Sequence, residues 1–178
     1  DLALIIEAGL AARIPVLIGT AGGSGAAPHL SWCLEIVHDV LVELNQTARV
    51  ANIVSDQRPN DLITALHEHR ISPLGPVSPI TEADISGSTH IVAQMGVEPV
   101  IAALAEGAQI VVAGRCYDPA VFAAVPVMQG FSEALALHMG KILECAAIAA
   151  IPGSGSDCML GTLDADGFVL EALNPERR

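Results

Sequence analysis

Apolar residues along this chain recur at helical spacing in some stretches and cluster in short blocks in others, and the two patterns alternate. Residues 2–12, rich in Ala and Leu, predict a helix, and residues 14–18 predict a strand. From His29 to Leu44, the positions Leu30, Leu34, Val37, Leu41 and Leu44 form one stripe at the 3.6-residue period, so a second helix is expected. Arg49 to Val54 predicts a second strand, and Asp61 to His69 a short helix. Ile71 to Pro79 is rich in Pro, Ser and Gly and reads as loop. Thr81-Glu82-Ala83-Asp84 has the form of a capping box, which opens a helix. Val97 to Ala105 predicts a helix closed by Gly107. Gln109 to Ala113 is nearly all apolar, as suits a strand buried on both faces of a parallel sheet. Residues 119–128 and 134–150 predict two more helices. Met159 to Leu173 predicts a hairpin around Asp164-Ala165-Asp166-Gly167, because Asp-Gly favours a tight turn.

Strands separated by helices imply crossover units. The expected fold is one α/β domain over residues 1–178: a three-layer, Rossmann-like arrangement with a mainly parallel sheet and helices on both faces. Ligands of such sheets sit outside the carboxyl ends of the strands. The loops after Ile18, Val54 and Ala113 are therefore where chemistry is expected.

Composition narrows the function. Apolar residues make up 52% of the chain and the mean hydropathy is +0.52. No run of eighteen apolar residues lacks a charge or a helix breaker, so no membrane span is expected. Residue 1 is Asp and no basic leader is visible. The apolar excess is instead expected to cover an interface with a second copy or another subunit. Both ends read as cut from a longer chain. The net charge of −12, with a single Lys, argues against a nucleic-acid partner, which would need basic clusters. None of Cys33, Cys116, Cys145 and Cys158 forms a CxxC pair, so no zinc site is expected. Their apolar neighbours suggest buried thiols in a reducing cytoplasm. His67-Glu68-His69 on a helix would splay its imidazoles onto different faces, so no metal is assigned there.

Four constellations carry candidate chemistry. Strand, glycine loop and helix follow one another from Ile14 to Pro28, and Gly22, Gly23, Ser24 and Gly25 are expected to present backbone N–H groups to a phosphate or carboxylate. The loop lacks the Gly-Lys-Ser/Thr ending of a nucleotide P-loop and has only the first half of a dinucleotide fingerprint, so a redox role lacks support and the cofactor is left unknown. A tight turn with close helix–sheet packing is the alternative. After the third strand, Arg115 offers a permanently charged fork to the anion, and Asp118 is either a proton carrier or the cap of a helix starting at Pro119. His138, Lys141 and Glu144 share one stripe of an otherwise apolar helix. Burial there would lower the Lys141 pKa and make it a base, whereas a surface Lys141–Glu144 pair would not. In the segment Ser88 to Pro99, Glu98 suits a helix start. His90 reads either as a satisfied core residue or as a catalyst, and His29 stands ready for an anion if a helix begins beside it.

Several of these stretches together resemble the acyclic terpene utilisation (AtuA) family. They are Ile18 to Gly25, Ser88 to Val92 with Met95 to Pro99, Ala113-Gly114-Arg115 with Asp118, His138 to Cys145, and the closing Leu173 to Arg178. The resemblance implies a bacterial or fungal cytoplasmic protein encoded near catabolic and acyl-CoA genes, within a longer architecture bearing a further glycine-rich region. It transfers no catalytic residues. From residue chemistry, the expected function is an enzyme, or enzyme part, of carboxylate or acyl-CoA catabolism, of lyase or hydratase type. Gly22 to Gly25 and Arg115 would hold the anion, and Asp118, His138 or Lys141 would move the proton. The rival expectation is a non-catalytic assembly or ligand-binding subunit.

Overall fold

The computed structural model describes residues 1–155 and 157–176. Arg177 and Arg178, the end of the family-like closing segment, lie outside the described residues. Helix α1 (Leu2–Ala12) ends at Arg13, which takes the left-handed conformation at φ 56° and donates its amide back into the last turn. Strand β1 (Val16–Ile18) leads through the glycine loop to α2 (Ala27–Glu43). Pro28 sits in the first turn of α2, where a missing N–H costs nothing. Strand β2 (Val50–Ile53), α3 (Pro59–His67), α4 (Glu82–Gly87) and α5 (Glu98–Ala105) follow. Thr81 caps α4 with both halves of the expected capping box: its hydroxyl accepts the Asp84 amide at 3.2 Å, and its own amide reaches the Asp84 carboxylate at 2.9 Å. Strand β3 (Ile110–Ala113), α6 (Ala120–Met128), α7 (Glu133–Leu143) and a hairpin of β4 (Met159–Leu163) and β5 (Phe168–Ala172) complete the order.

The fold is mixed α/β. The last strand of the parallel sheet is its centre: the order is β1-β3-β2, and both neighbours pair with β3 in parallel. All four residues of β3 are buried, which is why its sequence does not alternate. Ile110 and Val112 pack with Ile6 of α1 and Leu30, Val37 and Leu41 of α2. Val111 packs instead with Val100 of α5, Ala120, Ala123 and Ala124 of α6 and Ala136 of α7. Each fully buried Val or Ile contributes about 1.5–3 kcal/mol, so β3 is the strongest anchor of the core.

The structure corrects parts of the expectation. Among the described residues the parallel sheet has three strands, and β4 and β5 form a separate antiparallel pair outside it. The helix expected over residues 134–150 stops at Leu143 and gives way to a short 3-10 turn, Ala146–Ala149. Only Cys116 is fully buried and Cys33 partly so; Cys145 and Cys158 are exposed. The hairpin lies on α7, where a Cβ at Gly161 would come within 2.8 Å of both Leu143 and Met139. Among the described residues no helix is long and apolar enough to cross a membrane.

Candidate functional site

The loops leaving the carboxyl ends of β1, β2 and β3 are tied to one another. Ser55, just past β2, is 2% exposed and is the one buried polar side chain among the described residues. Its hydroxyl donates to the Gly25 carbonyl at 2.9 Å and accepts the Arg115 amide at 2.8 Å. Thr20 makes a second tie, its hydroxyl accepting the Cys116 amide at 3.1 Å. The segment 91–95 then crosses over. The Gln57 amide reaches Ile91 at 2.7 Å, and the Ala93 amide reaches Ser55 at 2.9 Å. Met95 exchanges backbone bonds with Arg115 and Tyr117 at 3.0 and 2.8 Å.

Within the glycine loop the four residues divide the work. The Gly23 amide donates to Thr20 at 3.2 Å and the Gly25 amide to Ala21 at 2.9 Å, so both are consumed by the turn. The Gly22 and Ser24 amides have no hydrogen-bond partner among the described residues. Gly25 is required by close approach: at φ 73°, a Cβ there would lie 2.1 Å from the Arg115 nitrogen. Gly23, at φ 84°, has open space around it.

Beside this loop lies a pocket of about 450 Å³, lined on one side by Ser24, Pro28 and His29 and on the other by Ser88, Thr89, His90 and Val92. Two polar pairs border it. Ser24 Oγ and His29 Nδ1 are 2.7 Å apart, and the Ser24 oxygen also accepts the Ala26 amide at 3.1 Å. His90 Nδ1 is 2.8 Å from Asp56 Oδ1. The other Asp56 oxygen, Oδ2, is buried without a hydrogen-bond partner among the described residues, an uncommon state for a buried polar atom. Two pockets of similar size lie elsewhere. One, of about 490 Å³, at the amino end of β1, holds Arg13 as its single charged group. The other, of about 510 Å³, beside β1, is lined by Leu17, Ile18, Val121, Phe122 and other apolar residues. Of these three pockets, the one at the carboxyl ends gathers imidazoles and hydroxyls, the position the strand topology favours.

The residues singled out in the sequence fall in two places. Of Gly22 to Gly25, Ser24 alone lines the pocket; Gly22 packs against the pocket residue His29, and Gly25 against the Arg115 backbone. Arg115 is fastened to the loop through its backbone, while its guanidinium points to Asp118 at 3.6 Å. Helix α6 begins one residue later than expected, with Pro119 rather than Asp118 at its N-cap. Asp118, His138 and Lys141 do not line the pocket. Lys141 is exposed and paired with Glu144, whose hydrogen bond raises the Lys141 pKa against an opposing desolvation. It is thus held as a cation rather than freed as a base. His138 sets its ring edge against Phe168 at 5.1 Å. The Cys116 thiol is pushed up to about 11, chiefly by burial, although the Arg115 charge pulls the other way. Burial and the raised pKa suit a packing role, since the thiolate form is disfavoured there. Sequence reasoning missed Ser55 and Asp56. Their signal was position, directly after a strand at its carboxyl end, in a loop already marked for chemistry.

The model of the acyclic terpene utilisation family protein AtuA matches residues 10–153, which takes in all three parallel strands and every loop of the site. No curated protein and no solved structure matches the chain. With the glycine loop, the His90 segment and the Arg115 loop all inside the matched span, the chain belongs to the acyclic terpene utilisation family.

Proposed function

We propose that this chain binds an anionic small molecule, a carboxylate or a phosphate such as acyl-CoA carries, in the pocket beside the glycine loop. The observation that carries this is the pair of unpartnered amides, Gly22 and Ser24, next to the first turn of α2 and to the Ser24, His29 and His90 side chains. Arg115 adds a permanent positive charge behind the loop, half-answered by Asp118. Membership of a family named for acyclic terpene utilisation supports a place in carboxylate or acyl-CoA breakdown, with the chain as an enzyme or part of one. Asp118, His138 and Lys141 do not line the pocket, and no step is given to them.

The test is a titration of the ¹⁵N-labelled protein with inorganic phosphate and with acetate. Saturable amide shifts are expected at Gly22 and Ser24, and Arg115→Ala is expected to weaken phosphate binding about fivefold, the scale of a partly screened charge. Shifts confined to Arg13 and Gln109, or none that saturate, would remove the reading.

A second function is favoured by a different observation. Helix α1 buries only Ile6, and Leu4 and Ile5 stand 68% and 55% exposed. Trp32 of α2 is 56% exposed. An assembly role, with these exposed apolar side chains against another subunit, is the reading they support.

A further inference from the structure

We propose that His90, oriented by Asp56, is the general base of the pocket, taking a proton at Nε2 from a hydroxyl, an acidic C–H or a water held there. The proposal rests on the pocket described above but not on the charge of its occupant. A carboxylate can only accept hydrogen bonds, so the contact of Asp56 Oδ1 with Nδ1 at 2.8 Å puts the hydrogen on Nδ1. In the neutral ring, Nε2 then carries the lone pair. That nitrogen has no hydrogen-bond partner among the described residues, and His90 lines the pocket.

The pair is set by the backbone and not by chance contact of long side chains. The two residues are 34 positions apart, and backbone bonds clamp both sides of the contact, from Gln57 to Ile91 at 2.7 Å and from Ala93 to Ser55 at 2.9 Å. The buried Oδ2 has no hydrogen-bond partner among the described residues, so the Oδ1–Nδ1 contact is the side-chain hydrogen bond this carboxylate makes there. Across the pocket stands the Ser24–His29 pair, the hydroxyl-bearing residues Ser88 and Thr89 line it beside His90, and no Lys or Arg lines it. When the proton moves to Nε2, its bonding electrons stay on the ligand oxygen or carbon, and the Asp56 carboxylate stabilises the imidazolium until the same N–H returns the proton. The chain contains its own control. His67 also pairs with a carboxylate, that of Glu82, but between α3 and α4 and away from this pocket.

The experiment follows hydrolysis of p-nitrophenyl acetate, with far-UV circular dichroism on every variant. In this reaction water gives a proton to Nε2 while its oxygen bonds the acetyl carbon, and p-nitrophenolate leaves with the C–O pair. His90→Gln is expected to lower the protein-dependent rate about tenfold or more, Asp56→Asn to fall between it and the parent, and His67→Gln to match the parent. Nitrogen-15 spectra of the rings are expected to show the Nδ1–H form for His90 and a mixture of forms in Asp56→Asn. A folded His90→Gln that hydrolyses the ester like His67→Gln overturns the proposal, as does a parent no faster than the same concentration of free imidazole, or a His90 ring protonated at Nε2. Phosphate shifts at Gly22 and Ser24 that persist in His90→Gln leave the anion reading standing even if the base fails. Loss of those shifts with the rate difference intact has the opposite meaning.

Discussion

The Ser55 hydroxyl, by donating to Gly25 and accepting from Arg115, joins the loops after β1 and β3 from a position just after β2. Ser55→Ala leaves a buried acceptor and a partly buried donor unanswered and is expected to cost about 2 kcal/mol, read as a lower urea midpoint. Glycines of the same loop give a sharper contrast. Gly25→Ala combines a positive φ with a Cβ 2.1 Å from a backbone nitrogen that cannot move without breaking the Ser55 bond. Gly23→Ala meets only the positive φ. The expected cost is about 1–2 kcal/mol for Gly23→Ala and clearly more for Gly25→Ala, from paired urea unfolding curves. At this scale the sequence was legible in part. The glycine run announced a loop needing left-handed residues, but which glycine packs and which amide stays unpartnered depends on the distant Arg115 loop. The Asp56–His90 contact was not legible, because the segment 91–95 has to cross two loops before these residues meet.

Elements were read more fully than residues, for reasons that are local. The capping box at Thr81 and the Asp-Gly turn at residues 164–167 each draw on neighbours within four positions, and both formed as expected. Hydrogen bonds to Asp84 from the Thr81 side chain and backbone, and to Asp164 from the amides of Asp166 and Gly167, depress both carboxyl pKa values below 3.8. A group with a depressed folded pKa stabilises the fold above its unfolded value and loses that contribution as pH falls through the folded one. Melting temperatures of the parent are therefore expected to drop more steeply below about pH 4 than those of Asp84→Asn or Asp164→Asn. Helix α7 was misjudged in length. Alanine-rich sequence beyond Leu143 favours helix locally, yet the chain turns there into 3-10 geometry, a choice that local propensity does not resolve.

For the whole molecule, the α/β class and the parallel pairing were legible from blocks of apolar residues set between helical stripes, whereas strand order was not, since periodicity is blind to which strands are neighbours. The apolar excess is visible on the surface as Leu4 and Ile5 of α1. If that face meets another subunit, Leu4→Lys with Ile5→Lys is expected to lower the sedimenting mass at equal protein concentration while leaving the melting temperature of the separated subunit nearly unchanged. An unchanged mass would count against an interface on α1. One consequence of the strand order concerns synthesis. Strands β1 and β2 share no bonds with each other, and each pairs only with β3, more than fifty residues downstream of β2. A nascent polypeptide that has emerged from the ribosome only as far as Gly107 thus holds both outer strands without the strand that joins them, and those two strands must wait for four residues still to come.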